Sequence, residues 1–296
     1  MLQDPLHRAR VRREDCEKQD QLREFSRSLP ASTDIMAEPT TTAYSIHPTY
    51  PPSSLIAFNP FKNPPPLSPP ITDRSLAHPF NISPQVYHNA LNFVVPVTIA
   101  LIYATTVTYF NKVNARRKHK PWSFSNTTSF FVLVVAHNVF LALYSCWTFI
   151  GMVRAFRASW PGFRNDYRTA GVVDSLCKLH GPRGLGSAAT YSASSGSWSI
   201  SDVSMKLAGG LPDTTDVGRI WNEGLSYYGW IFYLSKFYEV VDTAIVLTKG
   251  KKSSMLQTYH HTGAMFAMWA GIRFMSPPIW MFTCINAFIH TLMVSS

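Results

Sequence analysis

The chain has 296 residues, enough for one or two domains, and its composition is uneven: residues 1–86 are polar and proline-rich, while most of the rest alternates apolar stretches with short basic loops. The net charge of +10 would suit nucleic acid, but the charge sits in the tail and between apolar stretches, so membrane topology accounts for it and no nucleic-acid partner is expected. Cys16, Cys146, Cys177 and Cys284 show neither metal nor disulfide spacing, which leaves the redox compartment open.

In chain order, the first stretch, "MLQDPLHRARVRREDCEKQDQ", is charged throughout and lacks the apolar centre of a signal peptide. Residues 48–83 are dense in proline and are expected to be extended or disordered, so 1–86 reads as a disordered tail. From 87 to 296 the pattern predicts an all-α polytopic membrane protein. Five transmembrane helices are expected, at 89–110, 129–151, 225–247, 254–275 and 278–294, the last short against the roughly 20 residues a span needs. The loop 152–223 carries a Ser-rich patch, "GSAATYSASSGSWSISD", that reads as a low-complexity insertion. Basic residues follow the first span (Lys112, Arg116, Arg117, Lys118, Lys120) and the third (Lys249, Lys251, Lys252). Those loops are expected in the cytosol, which puts the N-terminus and the loop 152–223 in the lumen.

Ionisable residues inside these spans are costly, by at least a few kcal/mol each, and must face inward. Lys236, Glu239 and Asp242 lie three apart on one slowly drifting helix stripe. They either line a cavity or form an ion-pair network that joins helices. The fourth span carries Gln257, His260 and His261, and the fifth carries Asn286 and His290 on one face. With a rise of about 1.5 Å per residue and a core about 30 Å thick, Asp242 lies about 10 Å, and His260 and His290 each about 12 Å, from the cytosolic face. Three antiparallel spans thus place polar groups in one layer. His137 and Asn138 in the second span could line the same cavity or form an interhelical hydrogen bond.

Two chemistries suit such a layer. Paired irons in membrane desaturases and hydroxylases use His-x-x-His-His boxes, but Gln257 stands where the first His would be and the region has few histidines, so no metal is expected. The other is nucleophilic catalysis: a neutral imidazole attacks a thioester and holds the acyl group, shielded from water. A transporter is a further alternative, although repeats and Gly/Pro-broken helices are not evident.

"KFYEVVDT" (236–243), "QTYHH" (257–261) and "NAFIHTLM" (286–293) resemble, in order and spacing, three motifs of the ELO family of fatty acid elongases: Lys-x-x-Glu-x-x-Asp-Thr, His-x-x-His-His and Asn-x-x-x-His-x-x-Met-Tyr. "LQTYHHTGAM" and "GIRFMSPPIWMF" look closest to the filamentous-fungal branch, where Gln in the box is usual. The resemblance implies a multi-pass protein of the endoplasmic reticulum with seven spans around an acyl tunnel. It implies condensation of a long-chain acyl-CoA with malonyl-CoA to a 3-ketoacyl-CoA, carbon dioxide and CoA, with both thioesters as substrates and no cofactor. By motif, His260 would be the acyl-accepting nucleophile and His261 its support. His290 would assist from the facing helix, Asp242 and Glu239 would orient imidazoles, and Lys236 would balance charge. Thr243, Gln257, Asn286 and Met293 occupy further motif positions and would line the cavity. Membrane lipid and the reductases and dehydratase of an elongation cycle would be partners, and a homo-oligomer is left open. Five of seven spans are readable, so a truncated gene model is expected, with a genuine non-catalytic relative acting by interaction as the alternative.

Overall fold

The computed structural model describes residues 67, 74–192, 194–200, 207, 209–213 and 215–293, with Met293 described by its backbone alone. These residues are mostly helical. Helix α1 (Pro84–Ala90) leads into α2 (Val94–Arg116), and after a 3-10 turn at Ser123–Asn126 comes α3 (Thr128–Ser159). Helix α4 (Arg168–Cys177) and the antiparallel strands β1 (Ala189–Ser192) and β2 (Ser197–Ile200) follow. A π-turn at Trp221–Leu225 then opens α5 (Ser226–Tyr238), continued by α6 (Val240–Thr248), α7 (Met255–Arg273) and α8 (Ile279–Met293).

Among the described residues α2 and α3, of 23 and 32 residues, are long and apolar enough to cross a membrane. Most of their apolar surface faces outward, with Leu101 and Ile102 on α2 and Phe131, Leu133 and Leu143 on α3 exposed. The core helix of a water-soluble protein would show the reverse, so these faces suit lipid. The α5–α6 pair, α7 and α8 fall at the other three expected positions but are shorter or more polar.

The boundaries move for identifiable reasons. The first span starts at Val94, not near 89, because residues 84–90 form their own helix, capped at Leu91. Helix α3 runs to Ser159 instead of ending near 151, since backbone bonding continues past the apolar run until Pro161 approaches. Arg154 on this extension donates to the Glu223 carbonyl at 2.7 Å. The third span divides at Glu239 (φ −60°, ψ −14°), which ends α5 and opens α6. One turn earlier Ser235 Oγ donates to the Phe232 carbonyl at 2.8 Å, a back-bond of the kind that bends helices.

The Ser-rich patch is a hairpin. Tyr191 pairs with Trp198 and Ala189 with Ile200. Ala189 and Trp198 point into the core while Thr190, Ser197 and Ser199 are exposed, a period of two that the serines disguise in the sequence. Arg219, fully buried, organises the segment around it. It pairs with Asp174 at 3.0 Å and donates to the carbonyls of Gly181 (2.8 Å), Asp174 (2.7 Å) and Pro182 (3.0 Å). His180 lies edge-on to Trp198, 5.3 Å between ring centres, and burial, with a smaller push from the Arg219 charge, pulls its imidazole down to about 4.

The main apolar core joins α1, the ends of α3 and α7 that follow the chain, and the beginning of α5. Aromatic donors fasten the segment before α2 to it: Tyr228 Oη to the Leu76 carbonyl (3.0 Å), Trp230 Nε1 to Tyr87 (3.3 Å), Tyr233 Oη to Ala90 (2.8 Å) and Trp269 Nε1 to Leu91 (2.8 Å). His78 is buried beside Ser226. Packed structure thus starts before residue 87, inside the stretch whose composition reads as tail.

Candidate active site

Lys236 and Glu239 are one turn apart and both buried, so each needs a partner of opposite charge. The Lys236 ammonium donates to Glu239 Oε1 and, at 2.7 Å, to Asn286 Oδ1 on α8. One turn after Asn286, His290 presents Nε2 to Glu239 Oε2 at 3.9 Å, and His261 Nδ1 on α7 lies 3.9 Å from the same oxygen. Both distances exceed hydrogen-bond length. Glu239 Oε2 and His261 Nδ1 are shielded from solvent yet have no hydrogen-bond partner among the described residues. One polar atom roughly 2.8 Å from the carboxylate oxygen and from an imidazole would satisfy both, which fits a water or a substrate oxygen.

The helix break at Glu239 sends the second carboxylate elsewhere. Asp242 Oδ1 accepts from His137 Nε2 at 2.7 Å, and His137 Nδ1 meets the Tyr238 hydroxyl at 3.0 Å. With a neutral imidazole, Nε2–H donates to Asp242 and Nδ1 accepts from Tyr238. Thr243 hydrogen-bonds Tyr103 at 2.9 Å and accepts from Gln257 Nε2 at 3.2 Å.

Gln257 has a local reason for its place. Ser254 caps α7, its Oγ accepting from the Gln257 backbone N–H at 3.0 Å, and Gln at the third helical position completes the spacing of a capping box. The Gln257 amide oxygen accepts from Ser253 Oγ at 3.2 Å. Its side-chain bonds therefore join α7 to α6 and do not orient an imidazole.

His260 is exposed, while its neighbour His261 is 7% exposed and turned inward, 5.7 Å away between ring centres. Successive helical side chains diverge by about 100°, so only one of the pair can face Glu239. Asn138 likewise points outward beside buried His137. The expected layer is thus resolved into Lys236, Glu239, Asn286, His261 and His290 in one cluster and His137 with Asp242 in another, with Thr243 and Gln257 tied together nearby. The side chain of Met293 lies outside the described residues. Tyr238, Ser235 and Tyr103 join these networks without having been expected. Tyr238 was readable from its one-turn spacing to Asp242, whereas Tyr103 sits in an apolar helix with no pattern to single it out. Among the described residues no three His, Cys, Asp or Glu side chains are grouped to hold a metal ion.

Residues 89–295, which take in every residue of both clusters, match the ELO family model, described as the GNS1/SUR4 family. The chain belongs to the ELO family. It is 37% identical over 68 residues to fatty acid elongase A of Dictyostelium discoideum and 31% identical over 78 residues to fatty acid elongase 2 of Trypanosoma brucei brucei. It is 28% identical over 88 residues to very long chain fatty acid elongase 3 of Homo sapiens. These alignments cover 23%, 26% and 29% of this chain, and they span 24%, 29% and 33% of the curated relatives' own lengths. No solved structure matches. ELO membership, with two apolar helices whose faces turn outward, makes this an integral membrane protein.

Proposed function

We propose that this ELO chain is the condensing component of fatty acid elongation, joining an acyl-CoA to malonyl-CoA between the exposed His260 and the adjoining cluster centred on Glu239. The observation that carries the reading is the arrangement of three imidazoles. His261 and His290 each lie 3.9 Å from one buried carboxylate oxygen, while the exposed His260 next to His261 is open to a bulky thioester. Names of the relatives, all fatty acid elongases, support the substrate class.

In the first step a ring nitrogen of His260 attacks the acyl carbonyl. The C–S bond breaks, CoA leaves as thiolate and takes up a proton, and the acyl group stays on the imidazole. Malonyl-CoA then loses carbon dioxide, and the electrons of that C–C bond form an enolate whose carbon attacks the acyl carbonyl. The C–N bond breaks, His260 is regenerated, and the 3-ketoacyl-CoA departs. Glu239 faces His261 and His290 across a gap that one substrate oxygen can bridge, His290 faces the incoming malonyl group, and Lys236 keeps the buried carboxylate compensated. The same Lys236–Asn286 bond also fastens α8 to α5, so a mechanical role accompanies the chemical one. The setting is a multi-pass protein of the endoplasmic reticulum, its basic loops cytosolic, working with the reductases and dehydratase of the elongation cycle.

Microsomes carrying the chain, given acyl-CoA and labelled malonyl-CoA, should form labelled 3-ketoacyl product, and His260→Ala should lower it at least a hundredfold. With malonyl-CoA withheld, the peptide containing His260 should gain the acyl mass. Near-normal elongation by His260→Ala, or an adduct on another residue, overturns the assignment.

A further inference from the structure

We infer a binding site for an anionic phospholipid where the two basic loops meet, independent of the reaction proposed above. The loops lie far apart in sequence but are locked together. Trp122 N–H donates to the Thr248 carbonyl at 3.1 Å, His119 Nδ1 meets the Gly250 carbonyl at 3.1 Å, and Asn114 Nδ2 donates to Leu247 at 2.8 Å. Gly250 makes the approach possible: its φ is +76°, and a Cβ there would lie 2.6 Å from the His119 carbonyl oxygen. The result is one rim in which Lys118 and Lys120 stand beside Lys249, Lys251 and Lys252, all exposed.

An apolar groove runs from this rim along the membrane-facing side. One part, about 260 Å³, lies between Ile102, Tyr103 and Val107 of α2 and Val240 and Thr243 of α6. The adjoining part, about 320 Å³, shares Thr106, Ala244 and Leu247 with the first and is also lined by Phe110, Trp122 and Phe124. Trp122 is the junction: its ring walls the groove, and the Arg117 guanidinium lies 4.0 Å over that ring. Arg117 Nη1 is shielded from solvent and has no hydrogen-bond partner among the described residues. Such a donor is costly to leave unmatched and is well suited to a phosphate oxygen.

A phosphodiester bearing acyl chains answers both halves. The chains occupy the groove, and the phosphate meets Arg117 under a rim of lysines that favours a net negative headgroup. A choline headgroup would bring its cation against those lysines. A soluble nucleotide would leave the groove unfilled.

The test uses the full chain purified in neutral detergent and examined by native mass spectrometry with phosphatidylinositol, phosphatidylserine and phosphatidylcholine present together. We expect one anionic lipid retained per chain, at least fivefold over phosphatidylcholine. The triple variant Lys120→Gln/Lys249→Gln/Lys251→Gln should cut retention at least fivefold, as should Ala244→Trp, which fills the groove from an exposed position. Added CoA should leave the adduct in place. Equal retention of phosphatidylcholine, or wild-type retention by either variant, overturns the site. Displacement by CoA also overturns it and assigns the cations to a nucleotide.

Discussion

Replacing Lys236 by methionine strips the buried Glu239 carboxylate of its ammonium. Lys236 is 1% exposed and the Glu239 side chain 3% exposed, so neither charge can turn to bulk water. What stays with Glu239 is a 3.5 Å contact from Ser235 Oγ and two imidazoles at 3.9 Å. Removing one partner of such a pair costs about 3–5 kcal/mol, more than a hundredfold in the ratio of folded to unfolded protein at about 1.4 kcal/mol per decade. Adding Glu239→Gln to the same chain removes the stranded charge as well and should bring stability back to within about 1 kcal/mol of the parent. The pair should then show a coupling of at least about 2 kcal/mol in a double-mutant cycle. Unfolding followed by tryptophan fluorescence in detergent measures it. Elongation measured alongside should stay lost in the double variant, because the carboxylate facing His261 and His290 has become an amide. A single variant costing under about 1 kcal/mol, or a double variant no more stable than the single, would refute the reasoning that this pair is buried and mutually compensated.

Acidification should weaken the hairpin region through His180. Its imidazole titrates near 4 when folded and near 6.5 when unfolded, so between those values the unfolded chain binds more protons. Stability is complete above about pH 6.5 and falls toward pH 4 by at most about 3 kcal/mol, and His180→Phe should flatten that slope when Trp198 fluorescence is used to follow melting. His137→Phe should lower the elongation rate about tenfold with little change in KM, since Asp242 loses the imidazole that holds it. Gly250→Ala should destabilise the junction of the basic loops by about 1–3 kcal/mol, visible as faster hydrogen exchange at the Trp122 amide, and unchanged exchange would contradict the geometry.

What the sequence made legible was periodicity and cost. The three-residue spacing of Lys236, Glu239 and Asp242 announced inward-facing charge, and the four-residue spacing of Asn286 and His290 correctly put both on the face that meets it. Spacing alone could not show that the helix breaks at Glu239, which parts Asp242, bonded to His137, from Glu239, which faces His261 and His290. Nor could it choose between adjacent histidines, because the side that faces the cluster depends on how α7 is rotated against α5. Serine on the exposed face of the hairpin looks like low complexity in the sequence, although Ala189 and Trp198 alternate with it. Gln257 departs from a metal box in the sequence, yet its bond to Ser254 belongs to the start of a helix and its bond to Thr243 joins that helix to the one before it.

The aromatic clasp on the segment before α2 bears on the order in which the chain is made. The carbonyls of Leu76, Tyr87, Ala90 and Leu91 leave the ribosome 143 to 178 residues before the side chains that will bond them. Until then they need water, and dragging them into hydrocarbon would cost several kcal/mol each. The segment is therefore gripped only when α5 and then α7 arrive. A nascent chain halted before Tyr228 should leave residues 76–91 open to protease, and release to Arg273 should close them. Protection of this stretch marks the moment when helices made far apart in time have come together.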